Sequence, residues 1–139
     1  MRVSTRGRYG LRAIVDLAIN QDSGPTPLRV VSERTKISEQ YLEQLFTNLR
    51  KSKIVKSVRG AHGGYLLNNP PEDIAVKDVI EALEGPLAPS DCVLNRVCCD
   101  TNSDCVTHNL WVDVKEKIDN YLNSVSIADL IERYHNLSN

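Results

Sequence analysis

Between Cys92 and His108 the chain places all four of its cysteines and one of its three histidines within seventeen residues, CVLNRVCCDTNSDCVTH. Thiolates and an imidazole at this density can ligate a metal ion, hold an iron-sulfur cluster or cycle between thiol and disulfide. Isolated free cysteines usually behave as small buried hydrophobes. Here Asp91, Asn95, Arg96, Asp100, Asn102, Ser103 and Asp104 accompany them, so the stretch cannot supply an apolar core and reads as a polar loop rich in soft donors. Cys105 and His108 stand three residues apart, a spacing that turns both side chains to one face if the chain there is entering a helix.

The N-terminus, MRVSTRGRYG, has no apolar signal core, and no run approaches transmembrane length. The expected location is therefore cytoplasmic, with no membrane partner. In a reducing compartment a cysteine cluster points to metal binding or thiol chemistry rather than to disulfides. Three thiolates with one histidine are also a zinc set, but structural zinc sites favour short Cys-x2-4-Cys knuckles. The gaps here are wider, five residues from Cys92 to Cys98 or six to Cys99, then six or five to Cys105. Loops of that width wrap a cluster more naturally than a single ion, and thiolates with an imidazole are known iron-sulfur ligands. Zinc and a metal-free thiol switch on the Cys98-Cys99 pair stay open at this point.

The elements that must position this segment show in charge and periodicity. The 139 residues, 41% hydrophobic and only 5% aromatic, suit one domain or a compact domain with an appended dimerisation element. Residues 1–68 hold 12 Lys and Arg against 5 Asp and Glu, and residues 69–139 hold 5 against 13, so a net charge of -1 conceals halves of +7 and -8. A basic half is the footprint of a polyanion partner, so nucleic-acid contacts are expected in the first half only. No glycine motif cradles a phosphate, and the one donor-rich segment offers no obvious substrate pocket, so an enzyme is not expected.

The first helix is expected where Leu11, Ile14, Val15, Ala18 and Ile19 recur at helical spacing, behind a basic start with Arg2, Thr5, Arg6, Arg8 and Tyr9. Ser4 or Thr5 can cap it, and its free first-turn amides with the adjacent arginines make an anion site. Gly24, Pro25 and Pro27 separate it from a second helix over about 28–36, with Thr26 as N-cap and Pro27 at the first helical position. Ser38 caps a third helix whose buried stripe is Leu42, Leu45, Phe46 and Leu49 and whose outer face shows Glu39, Gln40, Glu43, Gln44, Thr47 and Lys51. Two short helices joined by a tight turn form a helix-turn-helix, and a helix with such a face fits the major groove. Gln40 and Gln44 suit adenine edges, and Glu43 a cytosine amine.

Residues 54–58 and 64–67 read as a β-hairpin joined through Arg59-Gly-Ala-His-Gly-Gly64. Its glycines at 60, 63 and 64 permit positive φ and close backbone approach. Arg59 at the tip suits a narrow, electronegative minor groove. Lys51, Lys53 and Lys56 add phosphate contacts, while His62 reads as a surface residue rather than a metal ligand. A polar outer helix face by itself says little; the order helix, helix, helix, hairpin on a basic half points to a winged-helix DNA binder.

Asn68-Asn69-Pro70-Pro71 breaks the pattern. Ile74, Val76, Val79, Ile80 and Leu83 then mark a short helix ended by Gly85-Pro86 and packed on the winged core. After the cysteines, Trp111, Val114, Ile118, Tyr121 and Leu122 give one apolar face to a long helix over about 106–123, which in so small a chain finds its partner in a second copy. Ser126 caps a last helix with Ile127, Leu130 and Ile131 that folds back or crosses to the other subunit. The expected fold is mainly α with a small β-hairpin. It comprises a winged helix-turn-helix DNA-binding domain over 1–85, a cysteine-rich cluster-binding loop over 86–108, and a dimerisation helix with a C-terminal helix over 109–139.

The segments RVSTRGRYGLRAIVDLA, SERTKISEQYLEQLF and VRGAHGGYLL, the cysteine loop and CVTHNLW closely resemble the IscR-like iron-sulfur transcription regulators of bacteria, part of the Rrf-two family, over nearly the whole chain. The resemblance implies a homodimeric winged helix-turn-helix protein on a double-stranded DNA operator. The third helix would enter the major groove, the wing the minor groove, and the Trp111 helix the dimer core. The DNA-contacting set is then Arg2, Thr5, Arg6 and Tyr9 of the first helix, Ser38, Gln40, Tyr41, Glu43, Gln44 and Lys51 of the third, and Arg59, Gly60, His62 and Gly63 of the wing.

The resemblance also implies a 2Fe-2S cluster on three cysteines and a histidine, here Cys92, Cys98 or Cys99, Cys105 and His108. The family includes members with 4Fe-4S clusters and with a fourth ligand from the other subunit's first helix. IscR-like members commonly leave five residues between successive cysteines, and this loop has one residue more. Cys99 is favoured over Cys98, because Cys105 and His108 are linked at a helix start while the loop after Cys92 can absorb an insertion. The expected function is a cluster-modulated, sequence-specific transcription regulator in iron-sulfur homeostasis or redox sensing. The alternative is a metal-free thiol-redox or zinc-stabilised winged-helix repressor.

Overall fold

Apolar stripes at helical spacing, interrupted once by two short extended runs, produce seven α-helices and one hairpin among residues 1–94 and 105–137, the residues described by this computed structural model. Helix α1 (Thr5–Ile19) turns Ala13, Ile14, Leu17 and Ala18 inward and touches most of the other elements. Helix α2 (Leu28–Thr35) ends where Lys36 takes a left-handed conformation, φ 63°. It is pinned to α1 by polar contacts. The Arg12 guanidinium donates to the Thr35 carbonyl at 2.9 Å, and Arg34 forks onto the Asp16 carboxylate at 2.8–3.1 Å.

The expected start of α2 is corrected by one residue. Pro27, not Thr26, holds the N-cap position. Thr26 is instead drawn into the wing, exchanging both backbone hydrogen bonds with Tyr65 at 3.0 and 2.8 Å.

Helix α3 (Glu39–Lys51) forms as its stripe requires, with Leu42, Leu45, Phe46 and Leu49 almost fully enclosed. Ser38 caps it, its hydroxyl oxygen accepting from the Tyr41 amide at 3.2 Å. Ile37 fills the turn between α2 and α3, and the Ser32 hydroxyl donates to its carbonyl. Strands β1 (Val55–Val58) and β2 (Gly64–Leu67) pair antiparallel, Val55 opposite Leu67 and Val58 opposite Gly64. Gly60 and Gly64 take positive φ, 112° and 152°, whereas Gly63 serves close approach, since a Cβ there would lie 2.1 Å from the Val58 carbonyl oxygen. The hairpin is tied to α3 by the Phe46 and Tyr65 rings, edge to face at 4.9 Å. Such a ring pair contributes about 0.5–1.5 kcal/mol beyond its buried area.

Helix α4 (Val76–Glu84) buries Val76, Val79, Ile80 and Leu83 against α1 and α3, and ends at Gly85. A short helix, α5 (Asp91–Leu94), begins the cysteine region. Helix α6 (His108–Ser124) starts two residues later than its apolar periodicity suggested. Only His108 of α6 is fully buried; Val114, Ile118 and Leu122 remain half-buried and Tyr121 is 58% exposed. Helix α7 (Ile127–Leu137) is capped by a reciprocal pair, Asp129 amide to Ser126 hydroxyl and Ser126 amide to Asp129 carboxylate. Of its two expected courses it takes the first, folding back onto α1. A bridge between Ala75 and Ser126 joins the segments leading into α4 and α7. Among the described residues no helix is long and apolar enough to cross a membrane.

Candidate functional site

Two separate places carry chemistry. The first is the polar face around the starts of α1 and α3. Thr5 Oγ1 lies 3.3 Å from the Tyr41 hydroxyl, and the Tyr9 and Tyr41 rings meet edge to face at 6.2 Å. The guanidinium groups of Arg12 and Arg8 lie over the Tyr9 ring at 5.5 and 5.9 Å. Thr5, Tyr9 and Tyr41, distant in sequence, are thus one continuous patch. Arg2, Arg6, Gln40, Glu43, Gln44 and Lys51 are exposed, and Ser38, exposed itself, spends its hydroxyl oxygen on the α3 cap. Arg59, Gly60 and His62 stand exposed at the wing tip, with Gly63 half-buried behind them.

The anion site expected at the start of α1 is corrected. Ser4 stands at the N-cap without capping through its side chain. Its hydroxyl and amide both donate to Glu84 Oε1, which also accepts from the Gly7 amide at 3.4 Å. A carboxylate from the chain itself therefore takes the N-cap amide and one first-turn amide, where the helix dipole favours negative charge. No local pattern signals this, because Ser4 and Glu84 are eighty residues apart.

The second place is the donor region before α6. His108 is buried, 7% exposed, and its Nδ1 lies 3.3 Å from Cys92 Sγ. Its Nε2 is buried with no hydrogen-bond partner among the described residues. Two donors on one tetrahedral ion, at ordinary metal–sulfur and metal–nitrogen lengths, stand about 3.5 Å apart, so this pair fits a shared metal. A metal held between Nδ1 and Cys92 would leave the other ring nitrogen, Nε2, as it is, unpaired among the described residues.

Cys92 has a second neighbour, the Ser90 hydroxyl at 3.2 Å. Cys105 is placed differently from the expected shared helical face. It stands on the turn ahead of α6, its carbonyl accepting from the His108 amide at 3.3 Å and its thiol 3.2 Å from the Thr107 hydroxyl. The Thr107 hydroxyl, then the Thr107 and His108 backbone amides, hold the Cys105 thiol below the ordinary thiol range, because each stabilises the thiolate. Among the described residues no three metal-ligating side chains converge. Cys98 and Cys99 lie outside the described residues.

A winged helix-turn-helix with a polar, basic-flanked reading face, and a thiol–imidazole pair set apart from it, define a DNA-binding transcription regulator and not an enzyme. The chain belongs to the Rrf2 family, described as iron-dependent transcriptional regulators, whose profile matches residues 3–133. It is 42% identical over 131 residues to the HTH-type transcriptional regulator IscR of Klebsiella pneumoniae, covering 94% of this chain and 80% of that one. Its fold is similar to that of T. potens IscR, with a TM-score of 0.78 and 42% identity over 96% of this chain and 88% of the other. It is equally similar to CymR of B. subtilis, a global cysteine regulator, with a TM-score of 0.79 and 36% identity over 96% and 98% of the two chains.

Proposed function

We propose that this regulator is a cytoplasmic homodimer whose sequence-specific binding to double-stranded DNA is modulated by an iron-sulfur cluster. The observation that carries the reading is the buried His108 imidazole, its Nδ1 3.3 Å from the Cys92 thiol, a spacing that two ligands of one metal also take. Cys92, Cys105, His108 and one of Cys98 and Cys99 would hold a 2Fe-2S cluster, with Cys99 the favoured third thiolate and a 4Fe-4S cluster the variant form. When bound, such a cluster supplies redox-active iron and a cross-link between the two ends of the cysteine segment. The chain's own residues do the rest. Lys115 of α6 donates to the Leu87 carbonyl at 3.3 Å and to Asp119 at 2.7 Å, tying α6 to the stretch between α4 and the first cysteine.

Dimerisation is supported by α6, whose apolar residues line an open groove of about 430 Å³ with Met1, Val3 and Leu87. A second copy of α6 would cover it, and paired heads would read half-sites about one DNA turn apart. On the reading face Gln40, Glu43 and Gln44 address base edges, Arg59 the minor groove, and Arg2, Arg6 and Lys51 the phosphates. A coupling of about 1–3 kcal/mol between cluster occupancy and head spacing suffices for regulation.

A second reading, a metal-free thiol switch, is favoured by the accessible Cys105 thiol with its stabilised thiolate and by the likeness to a cysteine regulator. One experiment separates the two. The chain and its Cys98→Ala and Cys99→Ala variants are purified anaerobically, and visible absorption, iron, acid-labile sulfide and zinc are measured. A brown protein with comparable iron and sulfide, lost in one variant only, supports the cluster and assigns its third thiolate. A protein that stays colourless after reconstitution sinks the cluster reading and leaves zinc or thiol switching, according to its zinc content.

A further inference from the structure

Glu84 is the last residue of α4, and the chain between it and Cys92 is short. Its carboxylate does not face solvent as a terminal glutamate of an exposed helix does. Oε1 gathers the Ser4 hydroxyl, the Ser4 amide and the Gly7 amide, while Oε2 is buried with no hydrogen-bond partner among the described residues. Gly7 leaves room for this arrangement, since a Cβ there would lie 2.9 Å from Glu84 Cδ and displace the carboxylate. Thr5, the first residue of α1 and the neighbour of Ser4, lies with its hydroxyl 3.3 Å from the Tyr41 hydroxyl at the start of α3. A carboxylate with one oxygen fully used and the other stranded is a poor choice for stability alone, because the unsatisfied oxygen has lost its hydration without replacement.

We propose that Glu84 is a positioning residue for DNA recognition, a latch by which the end of α4 holds the start of α1 against Tyr41 and so sets the α1 side of the reading face. The latch joins two regions. Residues 85–91 run from it to Cys92, with Leu87 packed in the core on the way, so a change around the cysteines has a short path through Glu84 to the Thr5–Tyr41 contact. This second role rests on the DNA-binding reading above, whereas the positioning itself does not require a cluster.

The test uses the full-length chain in its metal-free form, with Glu84→Ala, Glu84→Gln and Gly7→Ala, and a DNA site selected from a random library by the unmodified protein. Glu84→Gln keeps an acceptor for the Ser4 and Gly7 amides. Gly7→Ala favours the helix by propensity but pushes the carboxylate away. Expected is a fall of about tenfold in affinity for the selected site in Glu84→Ala and Gly7→Ala, within the usual range of coupled sites. Non-specific DNA affinity should change by less than about twofold, and Glu84→Gln should recover most of the loss. Hydrogen exchange should quicken at the Ser4 to Gly7 amides in Glu84→Ala while α3 keeps its protection.

Equal losses on both DNAs that follow melting temperature would reduce Glu84 to a structural tie and overturn the proposal. Unchanged affinity with unchanged exchange overturns it as well. If the unmodified chain selects no DNA site, the DNA-binding reading fails by itself, and exchange at Ser4 to Gly7 still decides whether Glu84 latches α1.

Discussion

The reading head and the cysteine region are built on opposite principles. In the head, Tyr41 and the wing are fixed by groups packed behind them. Tyr41 is held by Thr5, Tyr9 and the Ser38 cap, and the wing by Phe46 against Tyr65 and by Thr26 against β2. In the donor region the buried imidazole has one sulfur beside it and one nitrogen with nothing, and the Cys105 thiol leans on a neighbouring hydroxyl rather than on another donor. The head carries its geometry in its apolar core, so it is complete without a ligand. The donor region leaves valences open, and a group that binds there can change how its two flanks are held. A regulator needs both kinds of construction, a rigid reader and a site whose arrangement depends on what occupies it.

That contrast can be broken or sharpened by substitution. The largest effect is expected from His108→Ala, which should abolish retention of iron on the anaerobically prepared protein while metal-free DNA affinity moves by less than about twofold, His108 standing outside the reading face at the start of α6. Iron and anisotropy measurements read both, and iron retained at the unmodified level would remove the imidazole from the ligand set. Phe46→Ala should do the reverse, costing about 3–5 kcal/mol in denaturant titration because it empties the centre of the head. A loss under about 1 kcal/mol would show that the head is not set by its core.

Glu43→Ala should relax base preference rather than abolish binding, since a carboxylate on the reading face penalises sites without a donor. The discrimination lost at the contacted step should be about 1–3 kcal/mol across a site library, and an unchanged library profile would take Glu43 out of that role. Ser38→Ala should cost about 0.5–2 kcal/mol of stability through the lost cap on the Tyr41 amide. The smallest change concerns acidity. In the metal-free protein Cys105 is held below the ordinary thiol range chiefly by the Thr107 hydroxyl, so its alkylation should reach half its plateau at a lower pH than a free thiol. Thr107→Val should move that midpoint upward, and a profile that does not move would show that the hydroxyl is not the cause.

The legible parts of the fold share a cause. Leu42, Leu45, Phe46 and Leu49 repeat at a spacing that only a helix buries, and Ser38 announces the start of that helix. The hairpin followed from glycines flanked by two extended runs. The family segments likewise lie in contiguous stretches, so they could be matched without coordinates. What stayed hidden depends on partners far apart in the chain. Thr26 reads locally as an N-cap, and Tyr65 makes it a bridge residue. The start of α1 reads as a vacant anion site, and Glu84 fills it. Arg12 reads as one more basic residue, yet it closes the last turn of α2 and lies over Tyr9.

The sequence by itself determined the element order, the polar outer face of α3 and the concentration of thiol and imidazole donors, because helical and strand periodicities, caps and turn residues act within a few positions. Tertiary structure decided which donor meets which. It placed His108 beside Cys92, across sixteen positions, and set Cys105 on a turn ahead of α6. It also gave the amides of α1 to Glu84. Such pairings depend on how helices pack their apolar faces, and packing brings together polar groups whose separation along the chain carries no local signal.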